Sequence, residues 1–137
     1  MGRREVTYLL DTHVAIWWLT EDRKLPKAHG RLLEKAERSG TPIGISAISF
    51  WEIAKLVESG RLAVDESVSD LLERLDTHPR IEVLPLSRDI AIESCLLGGR
   101  FPRDPGDQII AATARCHGLT LLTADQRIID SGAVNIA

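Results

Sequence analysis

Val6-Thr7-Tyr8-Leu9-Leu10-Asp11-Thr12-His13 is the stretch on which the fold is read. Its residues up to Leu10 are apolar, β-branched or aromatic, and too few for a helix, so they read as a buried strand. The strand runs into a carboxylate, and residues 12–19 then carry Val14, Ile16, Trp17 and Trp18 as the apolar positions of a first helix. The same succession recurs downstream. Residues 43–47 read as a strand with a helix after it over 50–57. Ile81-Glu82-Val83-Leu84 reads as a strand, closed by Pro85 and followed by a helix over 88–97 that ends at Gly98-Gly99. Residues 119–122 read as a strand followed by a short helix over 125–129.

Helices over 27–38, 65–75 and 107–116 fill the intervals. Ser39-Gly40-Thr41-Pro42 ends the first, His78-Pro79 the second and Gly118 the third, all residues that stop helices. Val134-Asn135-Ile136 fits a last edge strand. No hairpin turn joins two strands. Strands that alternate with helices imply an α/β domain whose mostly parallel sheet is covered on both faces. Right-handed crossovers then place every strand-to-helix junction on one edge of the sheet, the edge where open parallel sheets bind ligands.

The 137 residues fit one domain spanning the whole chain, and a hydrophobic fraction of 44% supports a real core. No apolar run is long enough to span a bilayer. The basic start, Met1-Gly2-Arg3-Arg4-Glu5, precedes too short an apolar stretch for a signal peptide, so a cytoplasmic protein without membrane attachment is expected. Cys95 and Cys116 lie in no CxxC or Cys/His ligand spacing and read as two buried free thiols. The net charge of -3 argues against a generic basic nucleic-acid binder. It is compatible with an acidic metal cleft ringed by basic residues, because a bound cation changes the local sign.

The acids at the junctions carry the chemistry. Asp11 follows the first strand, Glu52 follows the second, Asp104 and Asp107 follow the Gly/Pro-rich stretch 98–106, and Asp125 follows the last. Each has a capping explanation. Asp11 suits the N-cap of the helix at Thr12, Ser49 and Glu52 fit a capping box, Asp104-Pro105 fits an N-cap with proline at the first helical position, and Thr123-Ala124-Asp125-Gln126 fits another capping box. Capping is indifferent to which edge of the sheet it occupies, however, and here all these acids gather on one edge. No lysine or arginine sits in the junctions at Asp11 or Glu52 to neutralise them. Carboxylates crowded together are costly to keep ionised, and a hard divalent cation with oxygen ligands removes that cost. Within the third group, Asp107 shares a helix face with Ile110, Ala111 and Ala114 and is the better ligand candidate. Asp104, in the loop before Pro105, reads as a supporting group beside the ligands.

At these residues the chain resembles the PIN-domain nucleases, and more narrowly the VapC-type toxins of bacterial toxin–antitoxin pairs. The resemblance runs over nearly the whole chain. It rests on Tyr8-Leu9-Leu10-Asp11-Thr12-His13, on 46–53 around Glu52, on 104–114 around Asp107, and on Leu121-Leu122-Thr123-Ala124-Asp125. It implies a three-layer α/β/α sandwich with a mostly parallel sheet of four to five strands. It implies a catalytic and metal-binding quartet of Asp11, Glu52, Asp107 and Asp125, supported by Thr12, Ser46 and Thr123, with Mg2+ or Mn2+ as the cofactor. The implied activity is endoribonucleolytic cleavage of RNA, and the implied partners are a small VapB-like antitoxin and a second copy of the chain.

Around such a cleft, Arg100 and Arg103 are the first candidates to hold RNA, with Arg127, Lys55 and Arg115 behind them. Lys24, Lys27, Arg31, Lys35 and Arg38 form a basic helix face for RNA or an acidic partner segment. His13 reads as structural, pointing away from Asp11. Trp51 reads as core, whereas the adjacent Trp17 and Trp18 cannot both face the core, which leaves one for an interface. Two rival readings keep the acids. One is a PIN-type nuclease of housekeeping RNA processing or of structured DNA. The other is a non-catalytic phospho-acceptor or RNA-binding signalling domain; a phospho-acceptor site lacks here both an acid beside Asp11 and a lysine after Thr123.

Overall fold

A computed structural model of the chain describes residues 5–137, so the basic Arg3 and Arg4 lie outside the described residues. The elements run β1 (Tyr8–Leu10), α1 (Thr12–Leu19), α2 (Lys27–Ser39), β2 (Ile43–Ser46), α3 (Ile48–Glu58), α4 (Val68–Asp76), β3 (Ile81–Leu84), α5 (Arg88–Glu93), α6 (Pro105–His117), β4 (Thr120–Leu122) and α7 (Gln126–Ser131). The strands form a four-stranded sheet in the order β3-β2-β1-β4. All the pairs are parallel, with Tyr8 opposite Ile43 and Thr120, and Ile43 opposite Ile81.

Alternation along the strands divides the interior into two cores. Leu10 and Leu122 face one side and join Val14, Ile16, Leu33, Ile53, Leu71 and Leu75 from α1 to α4. Leu9 and Leu121 face the other and join Ile110, Ala111, Ala114 and Ile128 from α6 and α7. A sheet between two helical layers is the three-layer sandwich expected from the pattern. Ala111, Ala112 and Ala114 are fully buried, and their small side chains bring α6 close to the sheet. The helix ends at Gly118, whose φ of 65° is left-handed, a conformation that glycine adopts at little cost.

The junctions share one edge. The Asp11 N–H donates to the Leu122 carbonyl at 3.0 Å, and the Ala47 N–H to the Leu84 carbonyl at 2.9 Å. These bonds tie together the segments leaving β1 and β4, and those leaving β2 and β3, just where the acids begin.

Several expectations change. α5 stops at Glu93 rather than at 97, and Leu97 and Phe101 reach the second core from irregular chain. The segment 134–136 makes a single bridge, Leu121 to Ile136, instead of a strand. Cys95 and Cys116 are free thiols but exposed, Cys116 in the last turn of α6 between the equally exposed Arg115 and His117. Trp51 is not core: it lies on the outer side of α3 and is 57% exposed. Trp17 and Trp18 are both half-buried against the first core. No helix among the described residues is long and apolar enough to cross a membrane.

Leu71 is fully buried in the first core, and its replacement by Ala is expected to cost about 2–5 kcal/mol. Leu96 is exposed, and its replacement by Ala is expected to stay within about 0.5 kcal/mol of wild type. Urea unfolding followed by circular dichroism measures both.

Candidate metal centre

Asp11 is buried at the start of α1, and both of its oxygens are engaged. Oδ1 accepts from the Thr12 N–H at 2.8 Å, and Oδ2 accepts from Thr123 Oγ1 at 2.7 Å. Thr123, at the end of β4, also accepts from the Asp125 N–H at 3.1 Å. One threonine hydroxyl thus links the first and last acids of the cluster. Burial raises the Asp11 pKa, against the lowering effect of the two hydrogen bonds and of His13.

Glu52 is held from α1. Thr12 Oγ1 donates to Glu52 Oε1 at 2.6 Å and lies 2.8 Å from Ser49 Oγ. A hydroxyl carries one proton, so with Thr12 donating to Glu52, Ser49 must donate to Thr12. Ser49 is fully buried, and its hydroxyl is spent on this chain rather than on a capping box. The start of α3 is served differently: Ala47 is its N-cap without a side-chain bond, and Ser46 Oγ accepts from the Ile48 N–H at 3.3 Å. Ser46 therefore acts on the backbone and Ser49 on the acid. A serine one helical turn before Glu52 was the available signal for that role, but the capping-box spacing masked it.

Asp104 is the N-cap of α6, and its Oδ1 accepts from the Asp107 N–H at 3.0 Å. Pro105 follows at the first helical position and then Gly106, which backs directly onto Glu52. A Cβ at Gly106 would overlap the Glu52 carboxylate, at 2.5 Å from its Cδ. Glycine is what lets α3 and α6 bring their acids together. Oxygens of Glu52, Asp104 and Asp107 lie within 4.8 Å of one another. Asp104, expected beside the ligands, is thus as close to Glu52 and Asp107 as any ligand of one ion must be.

Burial first, and then repulsion from Asp11, Asp104, Glu52 and Asp125, push the Asp107 pKa up to about 7. Burial also raises Glu52, with Asp104 and Asp11 adding to the effect and the Thr12 bond opposing it. Asp125 differs: Arg127 grips both of its oxygens, at 2.9 Å to Oδ2 and at 2.9 Å and 3.2 Å to Oδ1, and holds its pKa below the ordinary carboxylate value. Among the described residues no lysine or arginine is ion-paired with Glu52, Asp104 or Asp107. An all-oxygen donor set without countercharge fits a hard divalent cation.

These acids line one open cavity of about 680 Å³, whose walls include Trp17, Trp51, Lys55, Arg61 and Arg127. His13 lines it too, exposed and with its ring 6.0 Å from that of Trp17, so it faces the cavity that holds Asp11 instead of pointing away from it as expected. Of the basic residues singled out from the sequence, Arg127 and Lys55 reach the cavity. Arg100 and Arg103 are exposed but do not line it, and Arg100 donates to the Asp130 carbonyl. Arg115 pairs with Glu93 at 3.0 Å, beside a different cavity. Arg61, just past α3, lines the acidic cavity and was not foreseen, since it follows Ser59-Gly60 with no pattern to mark it.

The chain belongs to the PIN-domain family, whose profile matches residues 8–133. It is 36% identical over 122 residues to Ribonuclease VapC22 of Mycobacterium tuberculosis, covering 89% of each chain. Its fold matches a chain of VapBC2 from Rickettsia felis bound to a DNA fragment from the promoter, with a TM-score of 0.70 at 18% identity, over 96% of this chain and 98% of that one. It also matches a chain of DNA-bound VapBC from Salmonella typhimurium, with a TM-score of 0.69 at 21% identity, over 97% and 98%.

The raised pKa of Asp107 has a consequence for stability. In the unfolded chain the group ionises near 3.8 and in the folded chain near 7, so the folded state holds the proton more tightly. The resulting stabilisation is complete below 3.8 and is lost as pH rises toward about 7. The Asp125 contribution runs the other way and is fully present above its ordinary value. Metal-free protein is expected to show a falling Tm across that window, and Asp107→Asn to flatten the fall. Scanning calorimetry with EDTA, and then with Mn2+, checks both; the cation should raise the wild-type Tm more than the variant's. Gly106→Ala should displace Glu52 and weaken Mn2+ binding roughly 10–100-fold, the range for disturbing groups that orient ligands, as read by titration calorimetry.

Proposed function

We propose that the protein is a metal-dependent endoribonuclease and the toxin of a type II toxin–antitoxin pair, working in the cytoplasm. The observation that carries the reading is the cavity in which Asp11, Glu52, Asp104, Asp107 and Asp125 converge, while among the described residues no lysine or arginine is ion-paired with Glu52, Asp104 or Asp107. The likeness to a protein named as a VapC ribonuclease supports RNA as the substrate. The VapBC complexes of the same fold support a small DNA-binding antitoxin as a partner, and the family resemblance supports a homodimer.

Glu52, Asp104 and Asp107 are the residues that would hold Mg2+ or Mn2+, with Asp11 and Asp125 completing the acidic wall. Such an ion supplies Lewis-acid polarisation of a phosphodiester and a lower pKa for attacking water. The chain's own contribution is positional. Thr12, itself fixed by Ser49, sets the Glu52 carboxylate, and the Thr12 amide and Thr123 hydroxyl set Asp11. Arg127 keeps Asp125 ionised and oriented. Asp107 carries a proton part of the time near neutral pH and gives it up when a cation arrives, so cation affinity should strengthen as pH rises. Lys55, Arg61 and Arg127 on the cavity wall are placed to meet backbone phosphates.

Purified protein is expected to cut total RNA with Mg2+ or Mn2+ and to stop in EDTA. Asp11→Asn and Asp107→Asn should abolish cutting while the fold persists. Thr12→Val and Ser49→Ala should lower the rate roughly 10–100-fold, as loss of groups that orient ligands does. A gel assay with circular dichroism of each variant reads all of this. Cutting by a folded Asp107→Asn variant at the wild-type rate would contradict the proposal.

A further inference from the structure

Trp51 lines the cavity without a role in holding the metal or the acids. Trp51 directly precedes Glu52 on α3, yet more than half of its surface is open to solvent, on a helix whose Ser49 and Ile53 are buried. Packing gives no reason for a large indole there, because its exposed area gains nothing from the core. Its surroundings do. Trp51, Lys55 and Glu58 are spaced as one stripe of the helix, all are exposed, and all line the acidic cavity. The Lys55 ammonium sits over the Trp51 ring, 6.0 Å from its centroid, and is paired with Glu58 at 3.2 Å. Exposed pairs of this kind are weak, so the ammonium is readily given up to an arriving phosphate. Arg61 adds a second cation on the same wall.

We propose that Trp51 is the stacking platform for an unpaired base beside the scissile phosphodiester, with Lys55 and Arg61 taking the adjoining phosphates. The inference rests on the nuclease reading and assigns the side chain that would hold an unpaired base of its RNA. Aromatic side chains stack on splayed-out bases, whereas the base faces inside an A-form duplex are already stacked and out of reach. The cavity has the matching layout: acids that hold a cation for one phosphate, an aromatic face next to them, and cations for the neighbouring phosphates. A floor of acids with a cationic wall suits a polyanion in the presence of the metal better than it suits an apolar peptide.

The test uses a short unstructured RNA oligonucleotide, the same sequence as a duplex, and single-strand versions with one abasic nucleotide walked past the cut site. Binding is read in the Asp107→Asn background, and cutting in the wild-type background with Mn2+. Trp51→Ala is expected to weaken single-strand binding roughly 5- to 150-fold, the range for one lost base stack, with most of the kinetic loss in KM. Trp51→Phe should restore much of it, and duplex binding should not respond. One abasic position should weaken binding to protein that carries Trp51 and leave binding to Trp51→Ala unchanged. Wild-type cutting with Trp51→Ala equal to it in single-strand affinity and KM would overturn the stacking role and leave the nuclease. Wild-type protein that neither cuts nor binds RNA would overturn both.

Discussion

Crowded carboxylates in a half-buried cavity set the terms for the rest of this structure. Like charges so close together raise one another's pKa, and each acid must find a donor, a proton or a cation. The acids divide on that point. Asp11 is satisfied by Thr12 and Thr123, and Asp125 by Arg127. Among the described residues Glu52 has a single donor, Asp104 accepts only the backbone N–H of Asp107, and the Asp107 carboxylate accepts no hydrogen bond. The group left under-compensated is the group whose oxygens lie within reach of one ion.

The fold is arranged so that this cluster can exist. A parallel sheet delivers the ends of β1, β2 and β4 to one edge, and the splitting of Leu9 from Leu10 and of Leu121 from Leu122 fixes which faces the helices cover. The buried alanines of α6 and the bare backbone of Gly106 bring Asp107 against Glu52. A larger residue at Gly106 would leave the sheet intact and separate the acids. The repulsion is sustained by two cores on either side of the sheet, neither of which includes an acid.

The architecture was legible because it is written in local pattern: short apolar runs alternating with helical periods, punctuated by Gly40, Pro85 and Gly118. The junction acids were legible as a set for the same reason. Their pairings were not, because they depend on which helices touch. Ser49 looked like half of a capping box until α3 was found to begin earlier, which freed its hydroxyl for Thr12. Asp104 is the loop residue capping α6 that the sequence indicated, but nothing in its neighbourhood reports the distance to Glu52, on another helix. Trp51 and the cysteines were misplaced by composition, since an apolar side chain states a preference for burial and not the face of the helix it occupies. Arg103 was favoured by nearness in sequence to Asp107 and Arg61 was not foreseen, whereas the cavity wall is built from the end of α3.

The family relationship and the geometry support one proposal, that Glu52, Asp104 and Asp107 would share a divalent cation. Diffraction from crystals grown with Mn2+, with data collected to give an anomalous difference map, tests that statement most directly. An anomalous peak bonded to oxygens of those three residues is expected. A map with no peak there at saturating Mn2+, or with the ion elsewhere on the chain, would contradict it.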